Sequence, residues 1–261
     1  MSENPPHLAQ TNKADKAFSL RRVVRFLPFL NRLEHNLNNQ FARDDFVIKE
    51  LASLPAGSLL LDAGCGSQRY KRHCNHLEYR AQDFGKYKTD SKKMLGYENV
   101  EDNADYQYGT LDYVGDVWNI EEKPETFDAI LCTEVFEHIL FPNETVKEFS
   151  RLLKPGGKMI LTAPSNCLRH MDPYFFYTGF SDRWFESILK GSGFEIKVIK
   201  PVGDYYSWLS VEIARTAHTQ SLFAKLLLFS AFLYYYNKKK TNVSVDALCM
   251  GYHVVAEKKY F

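Results

Sequence analysis

A short apolar run that ends in a carboxylate and a glycine turn constrains this chain more than any other feature does. The run Ser58–Asp62 is typical of a buried parallel strand, and Gly64 and Gly66 follow it directly. Glycine lets a ligand approach the backbone where a β-carbon would clash. Ligands of open α/β sheets bind at the carboxyl ends of the strands, which is where this turn falls. We therefore predict a ligand-binding turn here, with a helix after it.

Similar apolar runs recur along the chain, and helix-like stretches lie between several of them. This alternation predicts a mostly parallel sheet with right-handed crossovers. The further predicted strands are Tyr79–Asp83, Phe127–Cys132, Lys158–Ala163, Phe194–Ile199 and Leu248–Ala256. The clearest predicted helices are Glu144–Leu153 and Asp182–Gly191.

The composition limits the class of protein. A chain of 261 residues is long enough for one large domain, and its net charge of +1 gives no global attraction to nucleic acid, so we expect no nucleic-acid partner. Five cysteines without a CxxC pair indicate a reducing compartment. Met1–Ala14 has the pattern of neither a signal peptide nor a transit peptide. We expect a cytoplasmic protein.

The chain is expected to begin with an extension, residues 1–40, before a main domain at residues 41–261. Met1–Asp15 has the composition of a disordered segment. Phe18–Leu37 interleaves arginines with apolar residues, which predicts a basic helix that Pro28 interrupts.

A helical insertion is predicted at about residues 201–246, before the last strand. Its segment Leu222–Tyr236 is apolar apart from Lys225 and Ser230, and three lysines follow at 238–240. No run in the chain approaches the roughly 20 apolar residues that span a bilayer. Two interpretations stay open: the segment covers the sheet edge or a homodimer surface, or it lies on the inner membrane as a peripheral helix.

Four further segments follow the glycine turn in a fixed order. Asp83 ends the second predicted strand, Asp116 follows a glycine in a loop, Phe127–His138 joins a strand to the sequence EVFEH, and Lys154–Gly157 is a KPGG turn. Together with the turn after Asp62, they resemble the class I S-adenosylmethionine-dependent methyltransferases. The later segments are similar to bacterial methyltransferases associated with surface-polysaccharide biosynthesis.

Two positions of the glycine turn distinguish families. Arg69 stands where the dinucleotide fingerprint G-x-G-x-x-G requires a glycine. Gln68 stands where the methyltransferase motif usually has its last glycine. This second departure concerns the contact with the methionine end of the cofactor and leaves the fold prediction unchanged.

The resemblance implies a fold and a cofactor. The fold is α/β and doubly wound, with a seven-stranded, mostly parallel sheet whose last strand is antiparallel. The cofactor is S-adenosyl-L-methionine, with Asp83 accepting from the ribose hydroxyls, Asp116 accepting from the adenine amino group, and Trp118 covering the ring. The predicted cofactor-binding residues are Asp62, Gly64, Cys65, Gly66, Asp83, Phe84, Asp116, Val117, Trp118 and Thr133.

His138 has three interpretations that the sequence leaves open. Its imidazole can act as a general base, because it titrates near neutral pH. It can instead hold the acceptor in line with the methyl group, which the sulfonium already activates. It can also bind a divalent metal with Glu134, Glu137 and His170, as in small-RNA and quinone-pathway methyltransferases that share the E-x-x-E-H pattern. We predict His138 and His170 as catalytic residues and assign no metal.

The segment Arg169–Tyr177 is predicted to form the acceptor side, because aromatic rings and polar groups suit a sugar or another small molecule. His170, Asp172 and Tyr174 are the candidates there. The predicted reaction is methylation, at oxygen, of a small-molecule acceptor or a glycan, including a lipid-linked one. Two other functions stay open: a metal-assisted RNA 2′-O-methyltransferase, which the near-neutral charge disfavours, and a protein that binds the cofactor without turnover.

Overall fold

The computed structural model of the protein describes residues 39–87, 107–218 and 220–260. These residues form one seven-stranded sheet. Its strands are β1 (Leu59–Ala63), β2 (Glu78–Asp83), β3 (Tyr113–Val114), β4 (Phe127–Thr133), β5 (Leu153–Pro164), β6 (Phe194–Val202) and β7 (Gly251–Lys258). The predicted disordered segment Met1–Asp15 and the predicted basic helix Phe18–Leu37 lie outside the described residues.

The strand order is β3-β2-β1-β4-β5-β7-β6. Strands β1 to β5 pair in parallel, whereas β7 runs antiparallel between β5 and β6. This arrangement confirms the predicted fold class. Strand β3 has no counterpart among the predicted strands, because two residues carry no periodic pattern. Strand β7 begins at Gly251 instead of the predicted Leu248.

Helices cover both faces of the sheet. They are α1 (Asn39–Ala52), α2 (Pro142–Leu152) and α3 (Asp182–Gly191). Successive side chains of a strand point to opposite faces, so Leu60 and Leu61 belong to different cores. Leu60 packs in one core with Leu51 of α1, and Leu61 lies in the other with Phe149 of α2 and Phe185 of α3. All five side chains are fully buried.

The helix predicted directly after the glycine turn is not formed. The chain between Gly66 and β2 makes turns and a short 3-10 helix at Lys71–His73. Gln68 has a left-handed φ of 58°, which a right-handed helix does not accommodate. Its side-chain amide donates to the carbonyl of Thr110 at 2.6 Å, so the turn is tied to the loop before β3. That prediction is therefore wrong, and α1 supplies the helix on this face.

The predicted insertion between β6 and β7 is helical. Its helices are α4 (Tyr205–His218), α5 (Leu222–Tyr236) and α6 (Asn242–Ala247). Asp204 joins the two ends of the insertion, since its carboxylate accepts from the backbone of Ser207 at 2.9 Å and from the hydroxyl of Ser244 at 2.6 Å. Within the described ranges, no helix is long and apolar enough to cross a membrane.

Candidate active site

A cavity of about 770 Å³ lies at the carboxyl ends of β1, β2 and β4. All ten residues predicted to bind the cofactor line it, and so do His138 and Tyr174. Asp62 comes from β1, Asp83 from β2 and Thr133 from β4. The sheet edge predicted from the sequence is thus the edge that carries the cavity, while the binding role of each residue stays a prediction.

Packing within the protein requires the first glycine of the turn. Gly64 has a φ of +70°, and a β-carbon built on it would lie 2.5 Å from Cγ2 of Val135. Its N–H donates to the carbonyl of Gln82 at 2.9 Å. The sequence-based explanation, close approach of a ligand, is therefore incomplete, because the side chain of Val135 already occupies the space beside this glycine.

Asp83 is held by the backbone at the end of β2. Its Oδ2 accepts from the N–H of Gly66 at 2.9 Å, and its Oδ1 accepts from the N–H of Gly85 at 3.1 Å. Burial raises the pKa of the Asp83 carboxyl, and these amide hydrogen bonds oppose the rise. Each carboxylate oxygen has a second lone pair, so this rigid group can accept further hydrogen bonds from a diol.

Asp62 is more deeply placed than Asp83. It is buried, and its Oδ2 accepts from the hydroxyl of Tyr79 at 2.5 Å. Burial raises the pKa of the Asp62 carboxyl to about 7, against the effect of the Tyr79 hydrogen bond. One of its oxygens therefore serves the contact between β1 and β2.

Two aromatic rings border the cavity from different loops. Trp118 packs edge-to-face against Phe141, with ring centroids 5.3 Å apart. Phe84 packs edge-to-face against Tyr174, with centroids 4.8 Å apart. Asp116 is exposed at the cavity wall. Trp118, which the resemblance assigns to the adenine ring, thus packs against Phe141 at the cavity wall, and Phe84 contacts Tyr174 of the acceptor segment.

Helix α1 contributes cavity residues that the sequence analysis missed. Arg43 lines the cavity and forms a salt bridge with Glu134 at 2.8 Å. Gln40 lines it as well. No local pattern marks α1 as part of a site, because its contacts join segments far apart in sequence.

The catalytic candidates meet in a compact cluster. Glu137 and His138 belong to a short 3-10 helix after β4, and His170 comes from the acceptor segment. One ligand atom from each of the three lies within 4.8 Å of the others. His170 lies off the cavity wall, with its ring 4.6 Å from the ring of His138.

Backbone carbonyls fix both imidazole rings. Nδ1 of His138 donates to the carbonyl of Tyr174 at 2.6 Å, and Nδ1 of His170 donates to the carbonyl of Leu168 at 2.8 Å. Each neutral ring then has its lone pair on Nε2. Nε2 of His138 lies 3.6 Å from Oε1 of Glu137. Burial, helped by His170, lowers the pKa of His138 to about 4.

The glutamates of the EVFEH segment have different environments. Glu137 is buried, and its Oε2 has no hydrogen-bond partner. Burial and the charge of Glu134 raise its pKa. Glu134 instead pairs with Arg43 and accepts from the hydroxyl of Thr162 at 2.8 Å. The structure therefore brings together three of the four residues considered for a metal, and Glu134 faces α1.

The acceptor segment is attached to this cluster. The N–H of Phe176 donates to the carbonyl of Glu137 at 2.9 Å. Tyr174 and Phe176 line the cavity. Asp172 lies off the cavity wall and pairs with Arg169 at 2.8 Å. Of the predicted acceptor-side residues, Tyr174 thus reaches the cavity directly.

A family model described as a methyltransferase domain matches residues 33–201, more than half of the chain. The chain belongs to this methyltransferase family. The predicted membership of the S-adenosylmethionine-dependent methyltransferases is thereby confirmed, and with it the class of methyl donor.

Curated relatives of this methyltransferase are ubiquinone biosynthesis O-methyltransferases. The relative from Aliivibrio fischeri is 30% identical over 147 residues, which are 56% of this chain and 59% of the relative. The relative from Hahella chejuensis is 28% identical over 171 residues, 64% of this chain and 66% of the relative. The relative from Xanthomonas oryzae is 29% identical over 109 residues, which are 41% of this chain and 43% of the relative. The matched region spans 43% to 66% of the length of these relatives.

Solved structures share the fold at low sequence identity. The [4+2]-cyclase SpnF has a TM-score of 0.51 and 16% identity, covering 85% of this chain and 83% of that one. Geranyl diphosphate methyltransferase has a TM-score of 0.50 and 11% identity, covering 83% and 77%. A cyclase and a methyltransferase therefore share this architecture, so the fold alone does not determine which reaction is catalysed.

Proposed function

We propose that this methyltransferase transfers the methyl group of S-adenosyl-L-methionine to an oxygen atom of a small-molecule acceptor. The observation that carries the proposal is that one cavity is lined by the predicted cofactor residues and by His138. A cofactor bound at the ends of β1 and β2 leaves the His138 side to the acceptor. The relatives are named as O-methyltransferases, which supports oxygen as the methylated atom.

His138 and Tyr174 provide a means to activate a hydroxyl. The carbonyl of Tyr174 holds Nδ1–H, so Nε2 can accept the proton of an acceptor hydroxyl. As the O–CH₃ bond forms and the S–CH₃ bond breaks, the O–H proton passes to Nε2. S-adenosylhomocysteine is the second product. In this mechanism His170 packs beside His138 and orients it.

The acceptor class is proposed from the cavity wall. Tyr174 and Phe176 present rings from the acceptor segment, which suits a sugar ring of a glycan, a lipid-linked intermediate or another ring-bearing small molecule. We expect the enzyme in the cytoplasm. In the cytoplasm, helix α5 can contact either a second copy of the chain or the surface of the inner membrane.

Replacing Asp83 by Asn should weaken cofactor binding by about 1–3 kcal/mol, or about 5- to 160-fold. The amide can still accept from Gly66, but it loses an acceptor oxygen and the charge that favours the ribose hydroxyls. Calorimetry with S-adenosylhomocysteine measures the change. Asp128→Asn is the matched control, because Asp128 lies at the start of β4, off the cavity wall. If the unmodified enzyme binds neither S-adenosylmethionine nor S-adenosylhomocysteine at millimolar concentration, the proposed function fails.

A divalent metal at Glu137, His138 and His170 is a second candidate for the catalytic centre. Two imidazole nitrogens and a carboxylate match the ligands that ions such as Zn²⁺ and Mn²⁺ accept. The buried Oε2 of Glu137 lacks a hydrogen-bond partner, which an ion would supply. The carbonyls at both Nδ1 atoms orient the rings as in metal sites. A bound ion would polarise the acceptor oxygen as a Lewis acid.

Titration with Zn²⁺ and with Mn²⁺ tests this candidate without an activity assay. One equivalent should bind, and His170→Asn should lower the metal affinity by about tenfold or more. Loss of a residue that only hydrogen-bonds to a metal ligand already lowers metal affinity by about tenfold. His76→Asn is the control, because His76 lies outside the cluster and contacts the carbonyl of Leu51. Failure of both ions to bind the unmodified protein would leave His138 as base or positioning group.

A further inference from the structure

Helix α5 turns a broad apolar face to solvent. The exposed fractions of its outward side chains run from 38% to 79%. On the opposite face Phe232 is buried, and Tyr235 stacks against Tyr206 of α4. A contiguous exposed apolar surface of this kind marks an interaction site. The outward residues are Leu222, Phe223, Leu226, Leu227, Phe229, Leu233 and Tyr234.

The polar groups on α5 do not oppose burial of this face. Ser230 lies among the outward residues, and its hydroxyl donates to the carbonyl of Leu227 at 2.7 Å. A hydroxyl that is already bonded to its own helix costs little when it leaves water. Ser230 can therefore enter an apolar medium without leaving its donor unpaired.

The charged side chains of α5 and of the segment directly after it are all lysines. The sequence contains no Asp or Glu between residues 213 and 245, whereas Lys225 and three lysines at 238–240 lie within or directly after α5. Nζ of Lys238 lies 4.5 Å from the ring centroid of Tyr234, at the end of the apolar face. An anionic surface complements this pattern. A second copy of the chain would offer the lysines no carboxylate from the same segment.

The insertion that carries α5 is attached to the sheet at the edge that carries the cavity. The last residue of β6, Val202, pairs with Gly251, which pairs with Pro164 at the carboxyl end of β5. The insertion therefore leaves and rejoins the sheet at the cavity edge. The end of the insertion is bonded to the residue after β5, four positions before the acceptor segment, because the N–H of Ser165 donates to the carbonyl of Met250 at 3.3 Å.

We infer that α5 and the lysines at 225 and 238–240 form a docking surface for an anionic lipid bilayer. The helix lies in the plane of the interface, with its apolar face among the acyl chains and its lysines at the head groups. Its 15 residues extend about 22 Å, less than the roughly 30 Å hydrocarbon layer. An acceptor carried by the membrane would then reach the cavity from the docked side.

Flotation of the full chain with lipid vesicles tests the inference. At low salt the protein should float with vesicles of phosphatidylcholine and phosphatidylglycerol. With vesicles of phosphatidylcholine alone it should not bind and should stay at the bottom of the gradient. Phe223→Gln with Leu227→Gln removes apolar area without adding charge, and should lower the vesicle-bound fraction about tenfold or more. Lys238→Gln, Lys239→Gln and Lys240→Gln together should lower it by a similar factor.

Matched controls separate docking from loss of fold. The triple variant Lys49→Gln, Lys147→Gln, Lys190→Gln changes the net charge equally at exposed lysines on α1, α2 and α3, and should float like the unmodified protein. Cofactor affinity should be unchanged in every variant. The inference is overturned if the protein stays soluble with anionic vesicles, or if the α5 variants float undiminished. It is also overturned if ultracentrifugation shows a dimer that Phe223→Gln with Leu227→Gln dissociates.

Discussion

Replacing His138 by Asn should lower kcat by about 10²- to 10⁴-fold, the usual contribution of a positioned proton acceptor. The Asn amide can still donate to the carbonyl of Tyr174, as Nδ1 of the imidazole does at 2.6 Å. What the variant loses is Nε2, the atom available to the acceptor hydroxyl. Calorimetry should show unchanged affinity for S-adenosylhomocysteine, because the cofactor residues lie on other elements. Both kcat and the dissociation constant of the cofactor are measured for the variant and for the unmodified enzyme.

His253→Asn is the matched control for this prediction. Burial lowers the pKa of His253 to about 4, as for His138, but its ring stacks on Phe46 at 4.5 Å and lies off the cavity wall. Its kcat should stay within about twofold of the unmodified enzyme. Unchanged kcat in His138→Asn would contradict the proposed role. If His170→Asn is as inactive as His138→Asn and chelators abolish turnover, the metal candidate replaces the base.

The fold was predictable where its signals are local. Leu59–Ala63 and Phe127–Thr133 are short apolar runs with clear ends, and each forms a strand close to its predicted limits. Asp83 is the last residue of a predicted strand, so its position at the carboxyl ends of the parallel strands could be predicted from the sequence. The family resemblance predicted the antiparallel direction of β7 but not its position between β5 and β6, because pairing order depends on contacts between distant segments.

The parts of the site that the sequence did not predict depend on such distant contacts. The salt bridge between Arg43 and Glu134 joins α1 to the residue after β4, and it removes Glu134 from the cluster in which the E-x-x-E-H pattern placed it. The carbonyl of Tyr174 that fixes His138 comes from the acceptor segment. A backbone carbonyl carries no residue-type signal, so no motif could have identified it.

Gly64→Ala should destabilise the fold by about 2–5 kcal/mol. A left-handed φ costs a residue with a β-carbon about 1–2 kcal/mol, and overpacking adds about 1–3 kcal/mol. The overpacking arises because the new β-carbon would lie 2.5 Å from Cγ2 and 2.8 Å from Cγ1 of Val135. Urea unfolding followed by circular dichroism gives the free energy of unfolding directly.

Two further variants separate the cost of the left-handed φ from the cost of overpacking against Val135. Gly57 has a φ of +79°, and a β-carbon added there would meet no atom within 4 Å, so Gly57→Ala should show the left-handed cost alone, about 1–2 kcal/mol. Combining Gly64→Ala with Val135→Ala removes both clashing methyl groups, so the double variant should be more stable than the sum of the single changes by about 1–3 kcal/mol. Strict additivity would show that Val135 is not the reason for the glycine. Val135 also lines the cavity, so Val135→Ala alone is the reference for binding. If this single variant binds S-adenosylhomocysteine and the folded double variant does not, close approach of the cofactor is a second reason for Gly64.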